Sequence, residues 1–216
     1  MLARTEAAVY GNRFRQRRLR RFLALVDEAI AAKGTCNILD IGGKVAYWQA
    51  LSPLWRDRAC HITLVNLAGE AVPEGPFTSI AGDARDLGQF ADLAFDLVHS
   101  NSVIEHVGPW RDQCRMAGEV RRLARRYFVQ TPNFWFPIEP HFRAPFIHWL
   151  PEPWRAAIVS RRGCGFYPRA ASYDEARRIL DDARLLDGKA MAALFPDAVI
   201  ERERVAGLTK SLIAIR

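Results

Sequence analysis

Long apolar runs are missing from this 216-residue chain: half of it is hydrophobic, yet no uninterrupted run approaches the roughly 20 residues that cross a bilayer. An integral helical membrane protein is therefore excluded. Cysteines are few, four at 36, 60, 114 and 164, and they lie far apart. Neither a disulfide framework nor a Cys-x-x-Cys metal or redox motif is expected, and the thiols are read as reduced, in a cytoplasmic setting. The amino terminus lacks an apolar core and a small-residue cleavage site, so no secretory leader is expected. His-x-x-x-His pairs and acidic runs are also absent, and no dedicated metal site is expected from spacing. Repeats, low-complexity stretches and an interdomain linker are missing as well. Residues 1–216 read as one domain, long enough for a large single core.

What the chain does have is a series of short apolar runs that end in polar residues. Asn37-Ile-Leu-Asp-Ile-Gly-Gly43 reads as a buried strand emptying into a loop, with Asp40 placed to hold a loop amide or a ligand ammonium. Gly42 and Gly43 would supply the turn and the clearance. Residues 61–67 form a second such run ending at Asn66, 77–84 a third ending at Asp83, 95–102 a fourth ending in Ser100-Asn101-Ser102, and 126–133 a fifth. A right-handed parallel sheet gathers these carboxyl ends on one edge, where open α/β sheets bind ligands. A dinucleotide oxidoreductase would share such a sheet, but it needs glycines spaced to admit a pyrophosphate, and only the adjacent pair is present.

Asp40-Ile-Gly-Gly, the strand ending at Asn66, Gly82-Asp83-Ala84 and Phe95-Asp-Leu-Val-His-Ser-Asn-Ser-Val-Ile-Glu-His-Val107 together resemble the successive motifs of class I S-adenosylmethionine-dependent methyltransferases. Gln130-Thr-Pro-Asn-Phe-Trp-Phe-Pro-Ile-Glu-Pro-His141 resembles the fifth-strand exit and substrate-side insert of small bacterial members, and residues 196–216 their closing β-hairpin. The resemblance implies a Rossmann-like, doubly wound, mostly parallel seven-stranded sheet with an antiparallel last strand and helices on both faces. It implies that Asp40, Gly42 and Gly43 contact the methionine part of S-adenosyl-L-methionine, Asn66 and Leu67 the ribose side, Asp83 the adenine amine with Ala84 beside it, and Ser100, Asn101 and Ser102 the methionine end and substrate entry. Two positions depart from the family pattern. The glycines are adjacent and followed by Lys44, and the second strand ends in neutral Asn66 where an acid is usual, with Glu70 four residues later as a substitute.

Methyl transfer from a sulfonium needs alignment and exclusion of water rather than an acid for the leaving group. An oxygen acceptor must also lose a proton, and His is the commonest base for that task. His106, just after the fourth strand, is the first candidate, with Glu105 beside it as base or orienter; the alternative for His106 is a helix-start histidine that bonds backbone. His141 and His148 are weaker candidates. A metal at Glu105-His106, joined by Asp112 or Glu139, is not demanded by the spacing.

Residues 131–154 hold six of the twelve prolines and are dense in aromatics, among them Phe134, Trp135, Phe136, Phe142, Phe146, Trp149 and Trp154. Proline stiffens the backbone and rings supply apolar area. The segment reads either as a rigid cover shaping a site for an apolar, aromatic or lipid-linked acceptor, or as a satellite core. Further on, Ser172 with Glu175 marks a helix start over 173–183, and 199–203 and 208–215 read as a hairpin across Ala206-Gly207.

The net charge of +7 is uneven: seven arginines face one acid in residues 1–22, while the rest of the chain is nearly balanced. Leu19, Phe22, Leu23, Val26 and Ile30 recur at helical spacing among those arginines, giving a basic amphipathic leading helix over 1–34. Its arginines read as a solvated face, or as a surface for anionic lipid, nucleic acid or a second subunit. The expected partner is a small-molecule acceptor, a glycan precursor, quinone-like ring or natural product. Nucleic acid is not expected, since no RNA-binding module is evident and Thr131-Pro-Asn-Phe is not the exit motif of amino-group methylation. The alternatives carried are an RNA methyltransferase and a non-catalytic relative that binds cofactor or partner.

Overall fold

The computed structural model describes residues 12–216; the start of the expected leading helix, with Arg4 and Glu6, lies outside them. Helix α1 spans Arg13–Lys33, opened by Asn12, whose side chain accepts from the amides of Phe14 and Arg15, and closed by Gly34 in the left-handed conformation. Both are the residue types helix ends favour. The apolar stripe Leu19, Phe22, Leu23 and Val26 is buried as expected.

Strands β1 (Cys36–Ile41), β2 (Cys60–Asn66), β3 (Phe77–Ala81), β4 (Leu97–Asn101) and β5 (Arg126–Pro132) follow the five apolar runs; β1 and β2 begin one residue earlier than read, and all five end one to three residues sooner. With β8 (Val199–Val205) and β9 (Leu208–Ile215) they make a seven-stranded sheet in the order β3-β2-β1-β4-β5-β9-β8. β1 runs parallel to β2 and β4, and β2 parallel to β3. Tyr127 and Arg216 exchange amide hydrogen bonds in both directions, the mark of an antiparallel pair, so the closing strand reverses direction as expected. β8 and β9 pair antiparallel across Ala206-Gly207, both at positive φ, which is the turn that suits the twist of a hairpin.

Among the described residues the remaining α-helices and strands are α2 (Val45–Ala50), α3 (Trp110–Leu123), a two-stranded ribbon of β6 (Ile138–Glu139) and β7 (Ala144–Pro145), α4 (Glu152–Arg161), α5 (Tyr173–Asp181) and α6 (Gly188–Leu194). Ser172 caps α5 by accepting from the Glu175 amide, as read from the sequence, and the helix stops at Asp181 rather than Ala183. Among the described residues no helix is long and apolar enough to cross a membrane.

The chain falls into two compact units. The first holds the described residues up to Asn101, Arg115–Val129 and Arg216; the second holds Ser102–Cys114 and Gln130–Ile215. The first is built on β1 to β4, whose Ile38, Leu39, Ile62, Leu64, Leu97 and Val98 are wholly buried with Phe22 and Trp48. The second has its own core of Phe142, Ile147, Val159, Ala176, Ile179 and Leu180. Part of the aromatic insert is thus satellite core, with Phe142 inside, while Trp135, Phe146, Trp149 and Trp154 each remain at least 40% exposed.

Candidate functional site

In the first unit the strand register aligns the carboxyl ends. Ile41 stands beside Val65 and Ser100, and Asn66 beside Ala81, so Gly42, Asn66, Gly82-Asp83 and Asn101 leave the sheet in one row. Asp40 is buried, and both of its carboxylate oxygens are engaged: Oδ1 with Nδ1 of His99 at 2.7 Å, and Oδ2 with Nε1 of Trp48 at 2.8 Å. It braces the first loop from beneath. Gly42 takes the positive φ that the turn needs, whereas the room Gly43 makes is for Asp40, since a Cβ there would lie 2.0 Å from Oδ2. Ser100 is fully buried and donates to the Ile41 carbonyl.

Asn66 Nδ2 donates to the Gly43 carbonyl at 2.7 Å, tying the first loop to the second strand and leaving the amide oxygen to accept from a ligand hydroxyl. Leu67 beside it is 81% exposed. Glu70 caps α2 by accepting from the Val45 amide at 3.0 Å, so the acid that the second strand end lacks serves the helix start instead. Asp83 accepts from the Arg85 amide and pairs with its guanidinium, at 2.6 Å for the shortest contact. The side-chain hydrogen bond from Arg85 holds its carboxyl below the ordinary range, against the opposing effect of burial. An ionised Asp83 keeps lone pairs for an amino group.

Sequence reasoning missed two residues here. Arg18, one of the arginines read as a solvated or lipid-facing group, is only 7% exposed and donates to Asn101 Oδ1 at 3.0 Å. Its place was legible, because it stands four residues before Phe22 on the apolar stripe. Arg13, Arg17, Arg20 and Arg21 are exposed as expected. His99 is buried between the rings of Tyr47 and Phe128, its Nε2 without a partner. All four cysteines are free; burial pushes the Cys36 thiol up to about 12 and Cys60 to about 11, which keeps both neutral and inert.

The second unit begins with Ser102 at a φ of 60°, held by Gln130 through its amide and its hydroxyl. A non-glycine residue in that region is strained, and such strain clusters at functional sites. A single 3-10 turn, Ile104–His106, follows. Glu105 points inward and is wholly buried; Oε2 accepts from the Thr131 hydroxyl at 2.9 Å, and Oε1 has no partner. Burial pushes its carboxyl up, opposed by His106, Thr131 and His141. His106 is exposed, with Nδ1 at 2.8 Å from the Asp182 carbonyl and Nε2 at 3.1 Å from Nε2 of His141. His141 is held in turn by Glu139, whose Oε1 lies 2.6 Å from Nδ1. Burial lowers the His141 pKa, but the Glu139 hydrogen bond and charge outweigh it and the net shift is upward.

Local chemistry explains how these residues meet. The β6–β7 ribbon buries Glu139, whose second oxygen accepts from the Phe142 amide. Gly165, at positive φ, packs its bare Cα where a Cβ would lie 2.1 Å from the His141 carbonyl, so that segment closes only on glycine. His148, the other insert histidine, turns to the Phe134 carbonyl, and burial lowers its pKa. Asp112 is not in the cluster, which holds Glu105, His106 and His141 with ligand-type atoms all within 4.8 Å of one another.

Residues 39–127 match the model of a family described as a methyltransferase domain. Among solved structures the chain is similar to a SAM dependent methyltransferase from Archaeoglobus fulgidus, with a TM-score of 0.55 at 14% identity over 93% of this chain and 92% of that one. It is similar to a Rhodobacter sphaeroides protein described as a Zn-dependent alcohol dehydrogenase, with a TM-score of 0.54 at 11% identity over 84% and 83%. It is also similar to an O-methyltransferase family protein from Burkholderia thailandensis, with a TM-score of 0.50 at 14% identity over 100% and 64%. At these identities the likeness is one of fold. No curated protein matches the sequence. The fold is that of the class I S-adenosylmethionine-dependent methyltransferases. The matched segment runs from Leu39 in β1 to Tyr127 in β5, and S-adenosyl-L-methionine is the cofactor that goes with this fold.

The residues present fit that cofactor. The strand ends offer a row of uncharged and anionic acceptors, the amide oxygen of Asn66 and the carboxylate of Asp83, beside a loop that turns at Gly42 with positive φ. The methionine carboxylate calls for a cation, and Arg18 at Asn101 supplies one within the same unit.

Proposed function

We propose that this protein transfers the methyl group of S-adenosyl-L-methionine to an oxygen of a small apolar or aromatic molecule, in the cytoplasm. The observation that carries the reading is the aligned row of Gly42, Asn66, Asp83 and Asn101 at the ends of β1 to β4, inside the segment that matches the methyltransferase domain. The cofactor supplies an already activated methyl carbon. This chain's residues have to align it, and alignment of that kind contributes roughly 7–11 kcal/mol.

Asn66 and Leu67 would take the ribose side, Asp83 and Ala84 the adenine, and Gly42, Gly43, Asn101 and Arg18 the methionine end, with Asp40 and Ser100 fixing the loop and strand beneath. On the acceptor side, the exposed rings of Trp135, Phe146 and Trp149 lie within about a ring's reach of one another, at 6.3 and 5.2 Å between centroids. They support an apolar acceptor. The imidazoles of His106 and His141, with Glu105, support proton removal from a hydroxyl, and a positioned base contributes about 10²–10⁴-fold. The exposed arginines of α1 favour peripheral contact with an anionic membrane or a second subunit.

Calorimetric titration with S-adenosylmethionine and S-adenosylhomocysteine tests the cofactor half. Micromolar binding by the wild type, weakened in Asn66→Ala and Asp83→Ala and lost in Gly42→Asp, is expected. No binding to a folded wild-type protein overturns the proposal in favour of a non-catalytic relative. An acceptor screen read by mass spectrometry, with His106→Ala and Glu105→Gln as comparators, tests the rest.

A further inference from the structure

We propose that Glu105, His106 and His141 form a binding site for a divalent transition cation, zinc first, using Nε2 of each imidazole and a carboxylate oxygen of Glu105. The argument is one of hydrogen-bond polarity. The partner of His106 Nδ1 is the Asp182 carbonyl, which only accepts, so Nδ1 carries the proton and Nε2 a lone pair. The partner of His141 Nδ1 is a Glu139 carboxylate oxygen, which also accepts, so the neutral ring again presents its lone pair at Nε2. The two lone pairs face each other across 3.1 Å. A positive charge has to lie between them.

A proton on one Nε2 would serve the imidazoles but would leave Glu105 unserved. That carboxylate is wholly buried and its Oε1 has no partner, a costly state unless a cation or donor meets it. A metal ion satisfies all three groups together. Two imidazole nitrogens at 2.0–2.1 Å from a tetrahedral zinc stand about 3.3 Å apart, close to the separation found. The carboxylate has an oxygen within 4.8 Å of both, near enough to serve as the third ligand.

Three further features belong to metal sites. Each imidazole is held by an oxygen on its far nitrogen, the Asp182 carbonyl for one and the Glu139 carboxylate for the other, the arrangement that orients ligating histidines and raises their basicity. The Asp182 carbonyl lies just past the carboxyl end of α5, where the helix dipole favours positive charge. Two imidazoles and one carboxylate leave a coordination position open, for water or an oxygen of a bound molecule. The inference concerns the second unit alone and does not depend on methyl transfer; with the ion bound the two imidazoles would no longer take a proton themselves, and the open coordination position would be where a hydroxyl is made acidic.

The test uses the untagged full chain, stripped with chelator and titrated with zinc, and with cobalt(II) for its absorption spectrum. One equivalent bound at micromolar affinity or tighter is expected, with cobalt bands of a four- or five-coordinate nitrogen and oxygen site. His141→Ala and Glu105→Gln should weaken uptake by at least about 100-fold, Glu139→Gln by about 10–100-fold, and His61→Ala not at all. Absence of stoichiometric uptake, affinity unchanged in His141→Ala, or a thiolate-to-cobalt band assigning the ion to a cysteine would overturn the proposal. Should a substitution prevent folding, judged by circular dichroism without metal, the wild-type stoichiometry and cobalt spectrum decide alone. Because no cofactor or acceptor is present, failure of methyl transfer and failure of metal binding are read separately.

Discussion

Replacing Asp40 with Ala should cost far more stability than loss of a ligand contact would suggest. The carboxylate is 1% exposed and accepts from the indole of Trp48 at 2.8 Å and the imidazole of His99 at 2.7 Å. Trp48 and His99 are themselves at most 1% exposed, so water cannot replace the lost acceptor. Each orphaned donor costs about 1–3 kcal/mol, and the pair about 2–6 kcal/mol. For a chain of this size that lowers the melting temperature by roughly 4–24 °C. Asp40→Asn separates geometry from charge: the amide oxygen still accepts from Trp48, and its NH2 can donate to Nδ1 once His99 moves its proton to Nε2. That variant should lose only about 1–2 kcal/mol, the difference between a charge-assisted and a neutral bond. Urea unfolding monitored by tryptophan fluorescence measures both. An Asp40→Ala variant within 0.5 kcal/mol of wild type would refute the reasoning, and an Asp40→Asn variant as damaged as the alanine would refute the tautomer shift.

Arg18→Ala should weaken S-adenosylmethionine binding by about tenfold, while Arg20→Ala, on the exposed face of the same helix, leaves it unchanged; calorimetry distinguishes them. Asp187 caps α6 by accepting from the Ala190 amide at 2.9 Å, so Asp187→Ala should cost about 1 kcal/mol at neutral pH. That hydrogen bond holds the Asp187 carboxyl below its ordinary value, against burial; its contribution is therefore full above the unfolded pKa near 3.9 and lost as pH falls through the lower folded value. Unfolding curves between pH 3 and 6 should show wild type and Asp187→Ala converging at the acid end. Trp135→Ala, removing a ring 61% exposed, should change stability by less than about 1 kcal/mol yet alter which acceptors are methylated. Lost stability with unchanged acceptor preference would sink the apolar-acceptor reading.

Much of the scaffold was legible locally. The runs at Cys36–Ile41, Cys60–Asn66 and Leu97–Asn101 are β-branched and apolar because parallel strands are buried on both faces, and their polar ends mark the edge of the sheet. Ser172 with Glu175, and Ala206-Gly207, carry their geometry in two to four consecutive residues, since caps and hairpin turns are made by neighbours in the chain. The periodicity over 19–30 placed α1, and a stricter count along the same stripe would have turned Arg18 inward.

Tertiary structure decided the rest. Asp40 looked like a ligand group and proved to be a brace, because its two partners come from a following helix and from a strand 59 residues on. Gly43 looked like clearance for a ligand, and the atom it clears is an oxygen of Asp40. His106 and His141 stand 35 residues apart, with no motif spacing to announce them. Their meeting depends on the β6–β7 ribbon, on Gly165 beneath the His141 backbone and on the end of α5. Local sequence sets which backbone shape each segment prefers, but the direction in which a lone pair points depends on hydrogen-bond partners that only folding brings within 3 Å.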